Sequence, residues 1–137
     1  MTDRLTPQQR SWNMSRIKAK NTKPEVTVRS LLHQLGLRFR LHVRRLPGCP
    51  DIVLARWNLA IFVHGCFWHR HPQCRFAYTP KSRKQFWLSK LEGNAIRDKH
   101  AIAALKRDGW KTLVVWECEV RDLKRLLARL NREIRGD

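Results

Sequence analysis

Residues 51–74 read DIVLARWNLAIFVHGCFWHRHPQC. Two short apolar runs, Asp51–Ala55 and Leu59–His64, flank Arg56-Trp57-Asn58. Short runs rich in Ile and Val are strands. A three-residue connection cannot support a crossover, so the two strands form an antiparallel hairpin. With the turn centred near Trp57, cross-strand partners sum to about 114, which puts Asp51 opposite Val63 to within one residue of register. The hairpin therefore delivers one acidic side chain to the strand end that carries His64.

The second half of the stretch is dense in metal-binding side chains. Cys66, His71 and Cys74 have the short spacing of a tetrahedral zinc site, in which thiolate and imidazole suit a borderline-soft ion. Cys118, at the end of the apolar run Leu113-Val114-Val115-Trp116, can close the site as fourth ligand. His64 and His69 are then left for acid–base work, since histidine titrates near neutrality. The competing account makes all of these groups zinc ligands or surface histidines.

The chain has 137 residues, enough for one domain with a real core. Its 29 Lys and Arg stand against 11 Asp and Glu, a formal charge of +18 spread along the whole sequence. Such a field favours a polyanion, and nucleic acid is the expected partner. An anionic membrane is the weaker alternative. No segment pairs a basic face with a long apolar one, and no apolar run approaches the ~20 residues of a membrane span. The opening MTDRLTPQQR lacks the apolar core of a secretory signal, so a cytoplasmic location is expected, associated with the nucleoid through DNA. In a reducing compartment four Cys are metal ligands more readily than disulfides. Cys49 is expected to pack as a small buried hydrophobe.

Residues 1–22 form a basic N-terminal segment, with a short helix expected from about Thr6, where Pro7 takes the first helical position. Residues 23–137 form a single domain. Lys23–Leu35 reads as a helix with Val28, Leu31, Leu32 and Leu35 on its stripe and Gly36 at its end. Arg38–Val43 alternates as a strand, and Leu46–Pro50 is a turn. A long helix runs from Ser82 to about Asp108, a strand follows over Lys111–Trp116, and Val120–Ile134 is a basic helix. Asp98 falls on the apolar stripe of the long helix, and a backbone or Arg partner is expected for it. The order helix, three strands, helix, strand, helix fits an α/β fold with a mixed β-sheet flanked by helices.

Chemistry is expected where Asp51 meets the histidines. Magnesium takes carboxylate, carbonyl and water ligands, and Asp51 with the main-chain carbonyl of Val63 would supply two of them. Glu25, in the first turn of its helix, is a further candidate. Singly, Asp51 and Glu25 could be a turn cap and a helix-dipole partner. Together with His64 and His69 they point to metal-assisted phosphodiester hydrolysis. Phe67 and Trp68 sit in the loop where no apolar stripe demands them, and with Trp87 they suit stacking on, or wedging between, bases. The competing account has Trp68 and Trp87 merely covering the zinc site.

These residues resemble the very short patch repair (Vsr) mismatch endonucleases over nearly the whole chain. The likeness includes Arg10-Ser11 with Asn13-Met14, Glu25, Pro47-Gly48 to Pro50-Asp51, His64 to His69, Phe86-Trp87, Asn94 with Arg97-Asp98, and Gly109-Trp110 to Trp116-Glu117-Cys118. The HGCFWH core is the specific part. The resemblance implies a restriction-endonuclease-like fold and a nick on the 5′ side of the T in a T:G mismatch, the lesion left by 5-methylcytosine deamination. It implies that Asp51 and the Val63 carbonyl hold catalytic Mg²⁺, that His69 is the general base, and that His64 and Glu25 bind waters on that metal. It assigns a structural Zn²⁺ to Cys66, His71, Cys74 and Cys118. Phe67, Trp68 and Trp87 resemble the family's wedge at the mismatch. The DNA-contacting N-terminal segment, with Met14 and Ile17, resembles its minor-groove clamp. Val63 stands where a Thr is usual, a change that a carbonyl ligand tolerates. Val63-His64-Gly65 replaces the E-x-K half of the usual restriction-nuclease motif, in keeping with a histidine base.

The expected partner is double-stranded DNA carrying a T:G mismatch, bound by a monomer, with no small-molecule substrate. Two alternatives stay open at this point. One is a restriction-like nuclease that cuts perfectly paired duplex; the other is a zinc-stabilised DNA-binding module that does not cut.

Overall fold

A computed structural model of the chain describes residues 22–136. The expected helix from Thr6 and the residues Met14 and Ile17 lie outside the described residues. Helix α1 spans Lys23–Gln34. Thr22 starts it by accepting a hydrogen bond from the Glu25 N–H through its hydroxyl, and Pro24 lies in the first turn. The helix ends at Leu35 and Gly36, the latter with φ +74°.

Strand β1 is only Arg40–Leu41, shorter than the expected Arg38–Val43. His42 has φ +48°, and a left-handed residue ends an extended strand. Strand β2 is Ile52–Leu54 and β3 is Leu59–His64. A 3₁₀ turn over Ala55–Trp57 joins them, closed by Asn58 at φ +55°. They pair antiparallel as expected, with Ile52 against Ile61 and Leu54 against Leu59, one residue from the centre inferred above.

Helix α2, Lys84–Arg107, then crosses over to β4, Lys111–Trp116, which lies parallel to β3. At 24 residues it is about 36 Å long. A 3₁₀ segment over Glu117–Arg121 follows, and α3 is Leu123–Arg135. The last helix therefore starts later than the expected Val120, because Asp122 is its N-cap and accepts from the Arg125 N–H. The sheet runs β1-β2-β3-β4 with one parallel pair, the mixed α/β arrangement that the element order implied.

Alternation along β3 decides which chemistry sits where. Leu59 and Ile61 join Val28, Leu32, Leu126 and Leu130 in the core between the sheet and helices α1 and α3. Ala60 and Phe62 pack on the other face with Leu105 and Ile102 of α2. His64 continues the second series, so it faces the side on which α2 carries Asp98. The turn before β2 is pressed onto the same helix. A Cβ on Gly48 would lie 2.6 Å from the Cβ of Ala101, and Gly48 has φ +75°, so both space and backbone require glycine. No helix among the described residues is long and apolar enough to cross a membrane.

Candidate active site and thiolate–histidine cluster

One cavity of about 590 Å³ gathers Glu25, Asp51, Val63, His64, Phe67, Trp68 and His69, seven of the residues singled out in the sequence, and adds His42, Asn94 and Asp98. Its first group comes from α1, the turn after β1 and the entry to β2. Asp51 reaches across the hairpin, and its Oδ2 accepts the Val63 N–H at 2.7 Å. Burial pushes the Asp51 carboxyl up to about 6, against the lowering pull of that hydrogen bond, and the negative charge of Glu25 adds to the rise. Glu25 is itself buried, paired with Arg29 and with His42 Nε2 at 2.8 Å. The ligand atoms of Glu25, His42 and Asp51 all lie within 4.8 Å of one another, a donor set able to hold a divalent cation.

The second group couples the loop after β3 to α2. His69 Nδ1 is 2.6 Å from Asp98 Oδ2, and the His69 ring stacks on His64 with centroids 3.9 Å apart and planes 6° from parallel. Asp98 thus pairs with a histidine, not with the backbone or Arg partner expected from its place on the helix stripe. Burial and the neighbouring His69 lower His64 to about 4, opposed by Asp98 at 3.9 Å. His64 is therefore neutral at physiological pH. A carboxylate bound to Nδ1 fixes that nitrogen as the donor and leaves Nε2 as the proton acceptor of the His69 ring.

Cys66, His71, Cys74 and Cys118 converge at the ends of the two parallel strands, with their ligand atoms within 4.8 Å of one another. His71 Nδ1 lies 3.6 Å from Cys66 Sγ and 3.5 Å from Cys118 Sγ. A tetrahedral zinc with ordinary Zn–S and Zn–N bonds requires an S···N edge of about 3.6 Å. The four residues fit that ion. All three cysteines are free thiols, as is Cys49. Burial pushes the Cys66 thiol up to about 12 and raises Cys118, whereas the Phe76 N–H lowers Cys74. Burial lowers His71, which favours the neutral imidazole that a metal needs. The His71 ring is also stacked on Trp116 at 4.1 Å. Cys49 does not pack in the core as expected: it is half-buried, has φ +48° and lines the cavity.

Phe67 and Trp68 line the cavity and form one aromatic group with Trp87, with Phe67–Trp68, Phe67–Trp87 and Trp68–Trp87 centroids 5.1, 5.7 and 6.0 Å apart. All three are half-buried. Asn94, buried on α2, donates to the Trp68 carbonyl at 3.1 Å and ties the loop to the helix. Tyr78 extends the group, 5.0 Å from Phe67 and 61% exposed.

Three residues of the site carried no assignment from the sequence reasoning: His42, Tyr78 and Asp98, the last read as structural. Asp98 left a usable signal, because a carboxylate on the buried stripe of a helix must face either a partner or a cavity. His42 and Tyr78 left none, since both owe their positions to irregular loop backbone.

The N-terminal part of the chain, residues 2–75, matches the family model described as DNA mismatch endonuclease Vsr. The Type II nicking enzyme V.XorIIP of Xanthomonas oryzae pv. oryzae is 54% identical over 130 residues, 95% of each chain. The Type II nicking enzyme V.NmeAIP of Neisseria meningitidis is 44% identical over 98% of this chain and 96% of its own. The DNA mismatch endonuclease Vsr of Escherichia coli K12 is 43% identical over 85% of this chain and 74% of its own. With the model spanning more than half of the sequence and relatives aligned almost end to end, the chain belongs to the DNA mismatch endonuclease Vsr family.

Proposed function

We propose that this endonuclease nicks one strand of duplex DNA on the 5′ side of the T in a T:G mismatch, as a monomer, within a restriction-endonuclease-like fold. The observation that carries the proposal is the Asp98–His69 pair facing the same cavity as Asp51, with Phe67 and Trp68 of the aromatic group in its lining. A module that only bound DNA would have no use for a carboxylate-oriented imidazole beside a buried acidic cluster.

In this scheme Asp51 and the Val63 main-chain carbonyl would hold Mg²⁺, which when bound stabilises the charge that develops on the scissile phosphate. His69 takes the proton of the attacking water on Nε2 while Asp98 holds the ring and stabilises the imidazolium. A bond forms from the water oxygen to phosphorus as the bond to the leaving sugar oxygen breaks. His64 stays neutral, so the proton arriving on His69 does not meet a second cation across a 3.9 Å stack. Glu25, in the same cluster as Asp51, would add its carboxylate to the Mg²⁺ directly or through a bound water. Zn²⁺ on Cys66, His71, Cys74 and Cys118 is structural, because four protein ligands leave no open position.

Phe67, Trp68 and Trp87 would wedge into the weakened base step at the mismatch, where unstacking costs least. Met14 and Ile17 would clamp the minor groove. The +18 charge supplies non-specific attraction to phosphate. The test is cleavage, with Mg²⁺, of strand-labelled duplexes carrying T:G, C:G or T:A at one position in varied flanks. A single nick 5′ to the mismatched T is expected. Equal cutting of the C:G duplex would make this a nuclease indifferent to mismatches.

A further inference from the structure

His42 occupies an unusual place for a residue with no assigned role. Its backbone is held at φ +48°, in the left-handed region that His, like Asn and Asp, enters more often than other non-glycine residues. The hydrogen bond from its own N–H to the Asp51 carbonyl, 3.0 Å, secures that conformation beside the entry to β2. The outcome is that the imidazole lies in the active-site cavity with its side chain 11% exposed, next to Glu25 at 3%. Nε2 sits 2.8 Å from Glu25 Oε2, and the ligand atoms of His42, Glu25 and Asp51 are within 4.8 Å of one another.

Two ligands in neighbouring positions on one cation, each about 2.1 Å from it, lie about 3 Å apart. The His42–Glu25 contact has the length of a hydrogen bond, and the same length matches a shared coordination edge. It is not needed for charge balance, because Arg29 already pairs with the Glu25 carboxylate. We infer that His42 is a direct nitrogen ligand of the catalytic cation, giving this protein a mixed nitrogen–oxygen site with Asp51 and Glu25. The inference rests on Asp51 holding the cation, as proposed above.

The chemical consequence is a change in metal preference. Magnesium gains little from imidazole, while affinity for nitrogen-bearing sites rises from Mn²⁺ through Fe²⁺ to Co²⁺. The site should therefore take Mn²⁺ distinctly more tightly than Mg²⁺, and the nitrogen of His42 should be what separates the two.

The experiment uses the full chain with its zinc in place and Mn²⁺ as probe. Mn²⁺ affinity is read from the loss of the free-ion signal in electron paramagnetic resonance, and the ligand from ¹⁴N modulation of the bound ion in pulsed spectra. His42→Asn tolerates the left-handed backbone and substitutes an oxygen donor, and circular dichroism checks that it is folded. His42→Asn should lose the ¹⁴N modulation and bind Mn²⁺ roughly 10- to 100-fold more weakly, with Mg²⁺ affinity little changed. Persistence of ¹⁴N modulation with unchanged Mn²⁺ affinity in folded His42→Asn overturns the inference. Asp51→Asn separates the two levels. If it abolishes Mn²⁺ binding while His42→Asn does nothing, only the nitrogen ligand is wrong; if it too leaves binding intact, the assignment of Asp51 fails with it.

Discussion

Replacing Asp51 with Asn should inactivate the enzyme and, in the absence of Mg²⁺, stabilise its fold. The Asp51 carboxyl is raised from 3.8 to about 6, mainly by burial. A group that binds its proton more tightly when folded is neutral at no cost below pH 4, in either state. Between about pH 4 and 6 the unfolded chain ionises while the folded carboxyl keeps its proton, so stability falls until the folded group ionises in turn. Two pH units at 1.36 kcal/mol each amount to about 3 kcal/mol lost above pH 7, with about half of that already lost at pH 5. Asn cannot ionise, and its amide oxygen can still accept the Val63 N–H that Asp51 receives at 2.7 Å. Asp51→Asn should therefore be more stable than the parent by about 3 kcal/mol at pH 8 and by about half as much at pH 5. Urea unfolding followed by the fluorescence of the six Trp measures this in magnesium-free buffer. Adding Mg²⁺ should then stabilise the parent and leave the variant unmoved, because only a protein that binds the ion gains from it. A variant less stable than the parent at pH 8, or an equal response of both to Mg²⁺, would refute the reasoning.

Four further outcomes are expected. His69→Ala should slow nicking by roughly 10²–10⁴-fold, as for loss of a positioned base. Asp98→Asn should also slow nicking and alter its pH profile, because the His69 tautomer is no longer fixed; an unaltered profile would show that Asp98 only fills space. Metal analysis should find one zinc per chain, and Cys118→Ala should lose it and lower the thermal midpoint by roughly 10 °C or more. A disulfide joining Cys66 to another cysteine would sink that assignment. Phe67→Ala or Trp68→Ala should weaken binding to T:G duplex more than to C:G duplex, measured side by side at one salt concentration. Equal losses on the two would argue that these rings cover the thiolate cluster and nothing else.

How much of this was legible in the sequence depends on how local the determinant is. The β2–β3 hairpin follows from two apolar runs and a three-residue gap, and these alone bring Asp51 to Val63. Cys66, His71 and Cys74 lie within one short loop, and Cys118 follows the strand paired with the one that ends before Cys66, so that cluster was legible too. Asp98 was placed on the right stripe of the right helix but given the wrong partner. Which loop a helix face meets depends on the crossover geometry, and the spacing from His69 to Asp98 does not encode it. The alternating polarity of Arg38–Val43 predicts His42 as part of a strand. The left-handed turn that ends β1 at Leu41 is held by hydrogen bonds to the Asp51 and Pro50 carbonyls, contacts between segments that no local pattern reports.

The contact between Gly48 and Ala101 has a consequence for the reaction itself. The turn that contains Gly48 leads directly into Asp51, and Ala101 lies one helical turn beyond Asp98. The place where these segments touch is therefore a caliper set between Asp51 and Asp98, the carboxylates proposed to hold the metal and to aim the base. A methyl group on Gly48 would come within 2.6 Å of the Ala101 Cβ, which is why a hydrogen atom occupies one jaw. Reaction geometry at a phosphate tolerates errors well below the width of a methyl group. In the proposed reaction, the span between Asp51 and Asp98 is thus set by a contact to which neither carboxylate contributes an atom.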